Sequence, residues 1–387
     1  MTDNQTYFGL YYFMGMAMNV HEKNGQLLAA VPDVPEGFEV VLEPLEGDNF
    51  RMHGGPLDGE TVTFTRNDKG EVASAQTGGL ELVKVSPEAT KDLQITRRVL
   101  APEFELTPEK EAAFSTLLKN TLEKAEGGWI AYDLSYPKHE FIQYVIAQDV
   151  VIFHGSNHDD IETFSPVRKS YELRDETGRG NLQAVYGTHD GLWSMFFAIV
   201  DRPNLRGSIR NGVMYFHNQE GKTLAVYNFS INQDQLPEKP WRQGTLYFLP
   251  RDTFVRLKMT ENSYSNEWGS EQEVKPIAKL SLEPEDFPFL DMIDGHDDGE
   301  LMRLGELSKA IRETALNAKL DQDKLSVTIP VNMEGLDEYI KLQRTYMPAV
   351  KITITSSKDT QILELSSLPP AYRQALSNEY ADLLKTA

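Results

Sequence analysis

Cysteine is absent from all 387 positions. That excludes disulfides, thiolate nucleophiles and thiolate metal sites at once, and leaves the redox compartment open. Long apolar runs are absent too. Each is broken by glycine, proline or charge before it reaches the ~20 residues a membrane-spanning helix needs. The opening residues, Met1 to Thr6, lack the basic start and apolar stretch of a signal peptide, so the expectation is a cytoplasmic protein without a membrane contact. Positive charge is scarce: 38 Lys and Arg stand against 59 Asp and Glu, for a net charge of −21. Such a field repels nucleic-acid phosphates and anionic lipid, so a nucleic-acid partner is not expected. No Gly-x-x-x-x-Gly-Lys phosphate loop and no His-Glu-x-x-His zinc motif occurs. His154 and His158 stand four apart beside Asp159 and Asp160. A strand end running into a loop is a poor scaffold for paired ligands, and no residue is assigned to a metal.

What is present is an ordinary folding composition, 40% hydrophobic and 25% charged, long enough for two or three domains. The reading is a multidomain α+β chain divided at 1–90, 91–128, 129–292 and 293–387. The first region is punctuated by turn signals at near-regular spacing: Asn24-Gly25, Gly47-Asp48, Gly54-Gly55, Asp58-Gly59 and Asp68-Lys69-Gly70. Between them 38–42 and 61–65 alternate in β-branched and aromatic residues, which predicts a small antiparallel barrel. A linker-like stretch over 86–102 leads to Thr107-Pro108, an N-cap and first-turn proline that start a helix over 109–126, stopped by Gly127-Gly128. In the third region strands are expected over 143–153, 212–216, 223–229 and 244–249, with a buried helix over 192–200. The last region reads as an α+β accessory domain of unknown role. Its helices fall over 301–319, 336–345 and 370–384, and its strands over 325–330 and 350–355.

Two resemblances follow from these residues. Leu42-Glu43-Pro44-Leu45, Asp48-Asn49-Phe50-Arg51-Met52 and Val62-Thr63-Phe64 resemble the lipocalin-like barrel appended to serine β-lactamase-type hydrolases, although the chain has no Ser-x-x-Lys nucleophile motif. More pointedly, Phe153-His154-Gly155-Ser156 ends an apolar run, Tyr186 follows in Val185-Tyr186-Gly187-Thr188, and Glu267 follows in Asn266-Glu267-Trp268. A His-Gly-Ser, a Tyr and a Glu in that order resemble the His-Tyr-Glu ADP-ribosyltransferases, the group of poly(ADP-ribose) polymerase-like and diphtheria-toxin-like domains. The resemblance covers about 145 residues. It implies a central split mixed β-sheet, NAD as substrate, and roles for named positions. His154 would hydrogen-bond the adenine-side ribose. Gly155 would let backbone approach the carboxamide, with Ser156 adding a hydrogen bond. Tyr186 would stack on nicotinamide. Ser194, eight positions beyond Tyr186, would bind the carboxamide, and Phe197, eleven beyond, would stack on the other face. Phe replaces the tyrosine of many relatives there, which keeps the stack and loses a hydroxyl.

Breaking the nicotinamide–ribose bond builds positive charge on the ribose and releases a neutral base. It therefore asks for rigid positioning and one well-placed carboxylate. Glu267 is the first choice. Glu273 is the reserve, because Glu271-Gln272-Glu273 also resembles the Glu-x-Glu of arginine-modifying transferases. For the pyrophosphate the candidates are Arg168 and Arg179, with Lys169 and Arg174 in the same segment and Arg206 and Arg210 further on. Trp193 and Phe196 read as the buried face of a helix. The acceptor of ADP-ribose stays open between a protein side chain, a small molecule, water and a nucleic acid, the last disfavoured by the charge, and the residues give no oligomeric state. The alternative is a non-catalytic nucleotide- or protein-binding scaffold on a degenerate transferase fold. An RNA 2′-phosphotransferase, which shares a His-Gly-Thr strand, is disfavoured by the charge.

Overall fold

The computed structural model describes residues 4–13, 15–78, 80–93, 95–169, 182–258, 264–321, 324–346 and 350–366, with 368, 373, 376–377 and 379–384. The fold is mixed α+β. It divides into two compact units, Met1–His296 and Asp297–Ala387. No helix among the described residues is long and apolar enough to cross a membrane.

The first unit opens with a closed antiparallel barrel of eight strands: β1 Gly9–Phe13, β2 Met16–Lys23, β3 Gln26–Ala30, β4 Val40–Pro44, β5 Asn49–His53, β6 Thr61–Arg66, β7 Val72–Thr77 and β8 Leu80–Val85. Strand β1 pairs with both β2 and β8, which closes the sheet and leaves it without edges. Lys23 pairs with Gln26 across Asn24 (φ 54°) and Gly25 (φ 78°), the two positive φ values that a tight hairpin of matching twist needs. Period-two burial sends Val62 and Phe64 inward from β6. Tyr7, Phe50 and Phe64 meet with ring centroids 4.8 to 5.5 Å apart, so side chains fill the interior. Arg66 holds Asp48 through two nitrogens at 2.7 and 2.8 Å, and the Tyr7 hydroxyl donates to the same carboxylate at 2.6 Å.

The barrel shares its core with the chain that follows. Phe216 and Val226 are fully buried in it, and they come from the hairpin of β13 Ile209–His217 and β14 Thr223–Asn232. His217 N–H donates to the Gly54 carbonyl at 2.7 Å. The short β9 Val99–Leu100 pairs with β14 from within the expected linker.

Helix α1 Pro108–Lys124 starts where its cap predicts: the Thr107 side chain accepts from Lys110 N–H. The strand expected over 143–153 is corrected. Residues Lys138–Gln148 form helix α2, and β10 begins only at Val151 and runs to Ser156. Phe141, Ile142, Tyr144 and Val145 are strand formers by type, but their spacing puts them on one helical face, and that face is buried. Asp149, in the left-handed conformation (φ 49°), ends the helix and turns the chain into β10.

Two antiparallel sheets then meet at β10. One has the order β10, β15 (Gly244–Pro250), β18 (Ala278–Leu282). The other has the order β11 (Arg168–Lys169), β12 (Gln183–Gly187), β17 (Tyr264–Ser270), β16 (Val255–Lys258). They touch through Phe153 and Thr188, whose backbones exchange hydrogen bonds of 2.7 and 3.0 Å. Helix α3 Gly191–Ile199 lies against β10 and β15, and the parallel pairing of β14 with β19 Asp294–His296 makes the β-structure mixed.

In the second unit an antiparallel sheet has the order β20 (Asn317–Asp321), β21 (Lys324–Pro330), β23 (Thr360–Ser366), β22 (Lys351–Ser356). Leu325, Val327, Ile329, Leu363 and Leu365 bury one face under Leu307 and Ile311 of α4 Gly299–Thr314 and Tyr339 and Leu342 of α5 Leu336–Tyr346. Helix α4 stops at Thr314, short of the expected end at 319, and β20 takes residues 317–319 of the expected helix.

Candidate functional site

The fork between the two central sheets opens into a cavity of about 470 Å³. His154, Gly155 and Ser156 reach it from the end of β10, Tyr186 from β12, Ser194 and Phe197 from α3, and Glu267 from β17. These seven lie up to 113 positions apart, and three strands and one helix bring them to one space.

The fork places His154. Its Nδ1 lies 2.7 Å from the Tyr186 carbonyl oxygen, so Nδ1 carries the proton and donates. In the neutral imidazole that leaves Nε2 as the acceptor nitrogen. Phe164 holds the ring edge-on, with centroids 4.9 Å apart.

Gly155 has a packing reason to be glycine. A Cβ at that position would stand 2.0 Å from the Ser194 carbonyl oxygen and 2.8 Å from the Ala198 nitrogen. Gly244 on the neighbouring strand meets the Ala198 carbonyl in the same way, at 1.9 Å. The two glycines let α3 lie directly on the sheet, and so bring Ser194 and Phe197 to the cavity.

Tyr186 lines the cavity, and its hydroxyl is bound to the Leu182 carbonyl. Ser194 is 2% exposed in the first turn of α3. The Asp190 side chain caps that helix through Trp193 N–H at 2.8 Å. Asp190 is itself 1% exposed, and its other oxygen accepts from the hydroxyls of Tyr215 (2.7 Å) and Tyr227 (2.9 Å). Burial, then the Asp190 charge, pushes both phenols well above their ordinary pKa, so they remain donors.

Glu267 is half-buried, one residue before the Trp268–Gly187 pair that ties β17 to β12. Glu271 and Glu273 are exposed beyond β17 and do not line the cavity, and Glu273 accepts from Ser165. Arg168 sits in β11 opposite Ala184; its side chain, like the whole of Arg174 and Arg179, lies outside the described residues. Arg206 pairs with Asp234 and Glu238, away from the cavity. Phe196 is fully buried in the core, as its helical position suggested. Trp193 does more: it lines the cavity, and its indole N–H donates to Asn211 at 2.6 Å.

Sequence reading missed Asn157, Thr188 and Arg202, which also line the cavity. Thr188 had a legible signal, since it follows Tyr186-Gly187 directly. Asn157 and Arg202 had none, because loop polar residues of this kind recur throughout the chain. Among the described residues no three His, Asp or Glu side chains gather as a metal-binding group. The arrangement offers aromatic faces for a flat ring, a histidine acceptor nitrogen and a carboxylate across a partly buried space, the usual composition of a small-molecule site. No protein-family model matches the chain, and no curated protein matches it.

Proposed function

We propose that this chain is an ADP-ribosyltransferase-like enzyme that cleaves the nicotinamide–ribose bond of NAD and passes ADP-ribose to a protein side chain, a small molecule or water. One observation carries the reading: seven residues chosen for their types and order in the sequence line one cavity at the fork of a split sheet. In this reading the nicotinamide ring lies among Tyr186, Phe197 and Trp193. Their π faces favour the cationic ring before cleavage and lose that preference once it leaves neutral. The Nε2 of His154 accepts from a ribose hydroxyl, because Nδ1 is committed to the Tyr186 carbonyl. The Glu267 carboxylate accepts from the other ribose and stabilises positive charge as the C–N bond breaks. Nicotinamide departs with the electron pair of the broken bond, and the acceptor forms a bond to the anomeric carbon and releases its proton to solvent.

The test is nicotinamide release from NAD by the purified full-length chain, beside His154→Ala and Glu267→Gln, with NAD binding followed by calorimetry. Release is expected in wild type and should fall by about 10²-fold or more in Glu267→Gln, the scale of a lost transition-state charge interaction. Binding without release in the presence of protein and small-molecule acceptors would replace the enzyme with a nucleotide-binding scaffold. Absence of binding would overturn the reading.

A further inference from the structure

We infer that Arg202 recognises the phosphate part of the ligand, and that Asn157 holds it in place to do so; this rests on the proposed reading of the cavity as a dinucleotide site. The chain carries a net charge of −21, so a phosphate-bearing ligand needs a local cation to be held at all. Arg202 is the arginine among the described residues that line the cavity. Its guanidinium lies over the Phe197 ring, 5.9 Å from the centroid, on an exposed rim.

The backbone beneath it is pinned. Asn157, the first residue after β10, donates from Nδ2 to the Ala198 carbonyl at 2.7 Å. Its Oδ1 accepts from Arg202 N–H at 3.3 Å. One side chain thus satisfies a carbonyl in the last turn of α3 and ties the turn that follows to the strand carrying His154. Pro203 fixes φ directly after the arginine.

Two charges of opposite sign therefore reach one cavity from separate elements, Glu267 on β17 and Arg202 beyond α3. A ligand with a cationic ring and an anionic phosphate matches that division. A neutral riboside would use only half of it. Guanidinium presents a planar fork to phosphate oxygens, which an ammonium does not.

The experiment is calorimetric titration of the full-length chain with NAD, nicotinamide mononucleotide and nicotinamide riboside, for wild type, Arg202→Ala, Arg202→Lys and Asn157→Ala. Wild type is expected to bind the two phosphate-bearing ligands more tightly than the riboside. Arg202→Ala should weaken NAD about tenfold or more, the scale of a charge-assisted hydrogen bond, and leave riboside affinity within about twofold. Arg202→Lys should recover part of the loss, and Asn157→Ala should weaken NAD less than Arg202→Ala does. Wild-type affinity for NAD in Arg202→Ala, or equal weakening of NAD and riboside, would overturn this inference alone. Failure of wild type to bind NAD and riboside alike would overturn the dinucleotide reading and this inference with it.

Discussion

His189 keeps a neutral imidazole where charge is costly. Burial pulls its pKa below the ordinary value, and nearby Asp190 only partly opposes this. The Tyr215 hydroxyl donates to Asp190, so His189 Nε2, 3.2 Å from that hydroxyl, is the nitrogen that donates to it. Nδ1 is buried without a hydrogen-bond partner among the described residues, so a second proton there would have no acceptor. In the unfolded chain the ring titrates near pH ~6.5. Between that pH and the lower folded value the unfolded chain binds more protons, so stability rises with pH across this window and is lost as pH falls through it. Urea denaturation is expected to show weaker folding at pH 5.5 than at 7.5, with a smaller difference in His189→Gln. His139 is lowered by burial too and retains part of the slope. Equal pH dependence in wild type and variant would remove His189 from this account. At this scale the sequence exposed residue types whose chemistry is unusual in context, a His-Gly-Ser after an apolar run or a Glu beside Trp. It did not expose Asp190 as the hub of the buried Tyr227 and the partly buried Tyr215, because that role exists only where β13, β14 and α3 converge.

At the scale of elements, the decisive contact is α3 lying on β10 and β15. Local pattern predicted the helix well, since the apolar run over 192–200 admits little else. The closeness of its approach was not legible, because glycine in a strand has many explanations. Gly155→Ala is expected to cost about 1–3 kcal/mol, as overpacked sites do, because its Cβ meets helix backbone and not a flexible side-chain tip. Gly128→Ala, where nothing among the described residues lies within 4 Å of the added carbon, serves as the control and should change little. Equal denaturation midpoints for the two variants would mean that α3 can shift freely, and the account of how Ser194 and Phe197 are placed would fail. Helix α2 makes the opposite point. Its β-branched and aromatic residues favour a strand by type, yet a buried helical face outweighs that preference.

At the scale of the molecule, the two compact units carry separate hydrophobic cores. The barrel has no such independence, since Phe216 and Val226 of the central hairpin complete its core. Scanning calorimetry of the full chain is expected to depart from a single two-state transition. Phe216→Ala should lower the transition of the Met1–His296 unit, at a cost of about 3–5 kcal/mol, and leave that of Asp297–Ala387 in place. A single transition shifted as a whole would show that the units fold as one.

The sequence alone determined what short-range chemistry controls. Asn24-Gly25 sets a hairpin because both residues tolerate positive φ, Thr107-Pro108 starts a helix, and inward alternation in β6 marks a barrel strand. Tertiary structure alone decided which candidates share a space. Glu267 lines the cavity and Glu273 does not, because the pairing of β17 with β12 ends near Trp268. Arg202 joins them through a tether of 157 to 198 and 202 that no local pattern announces. The reason is physical: turns and caps depend on the few residues that form them, whereas a cavity depends on strand pairings whose partners stand 81 to 99 positions apart in the chain.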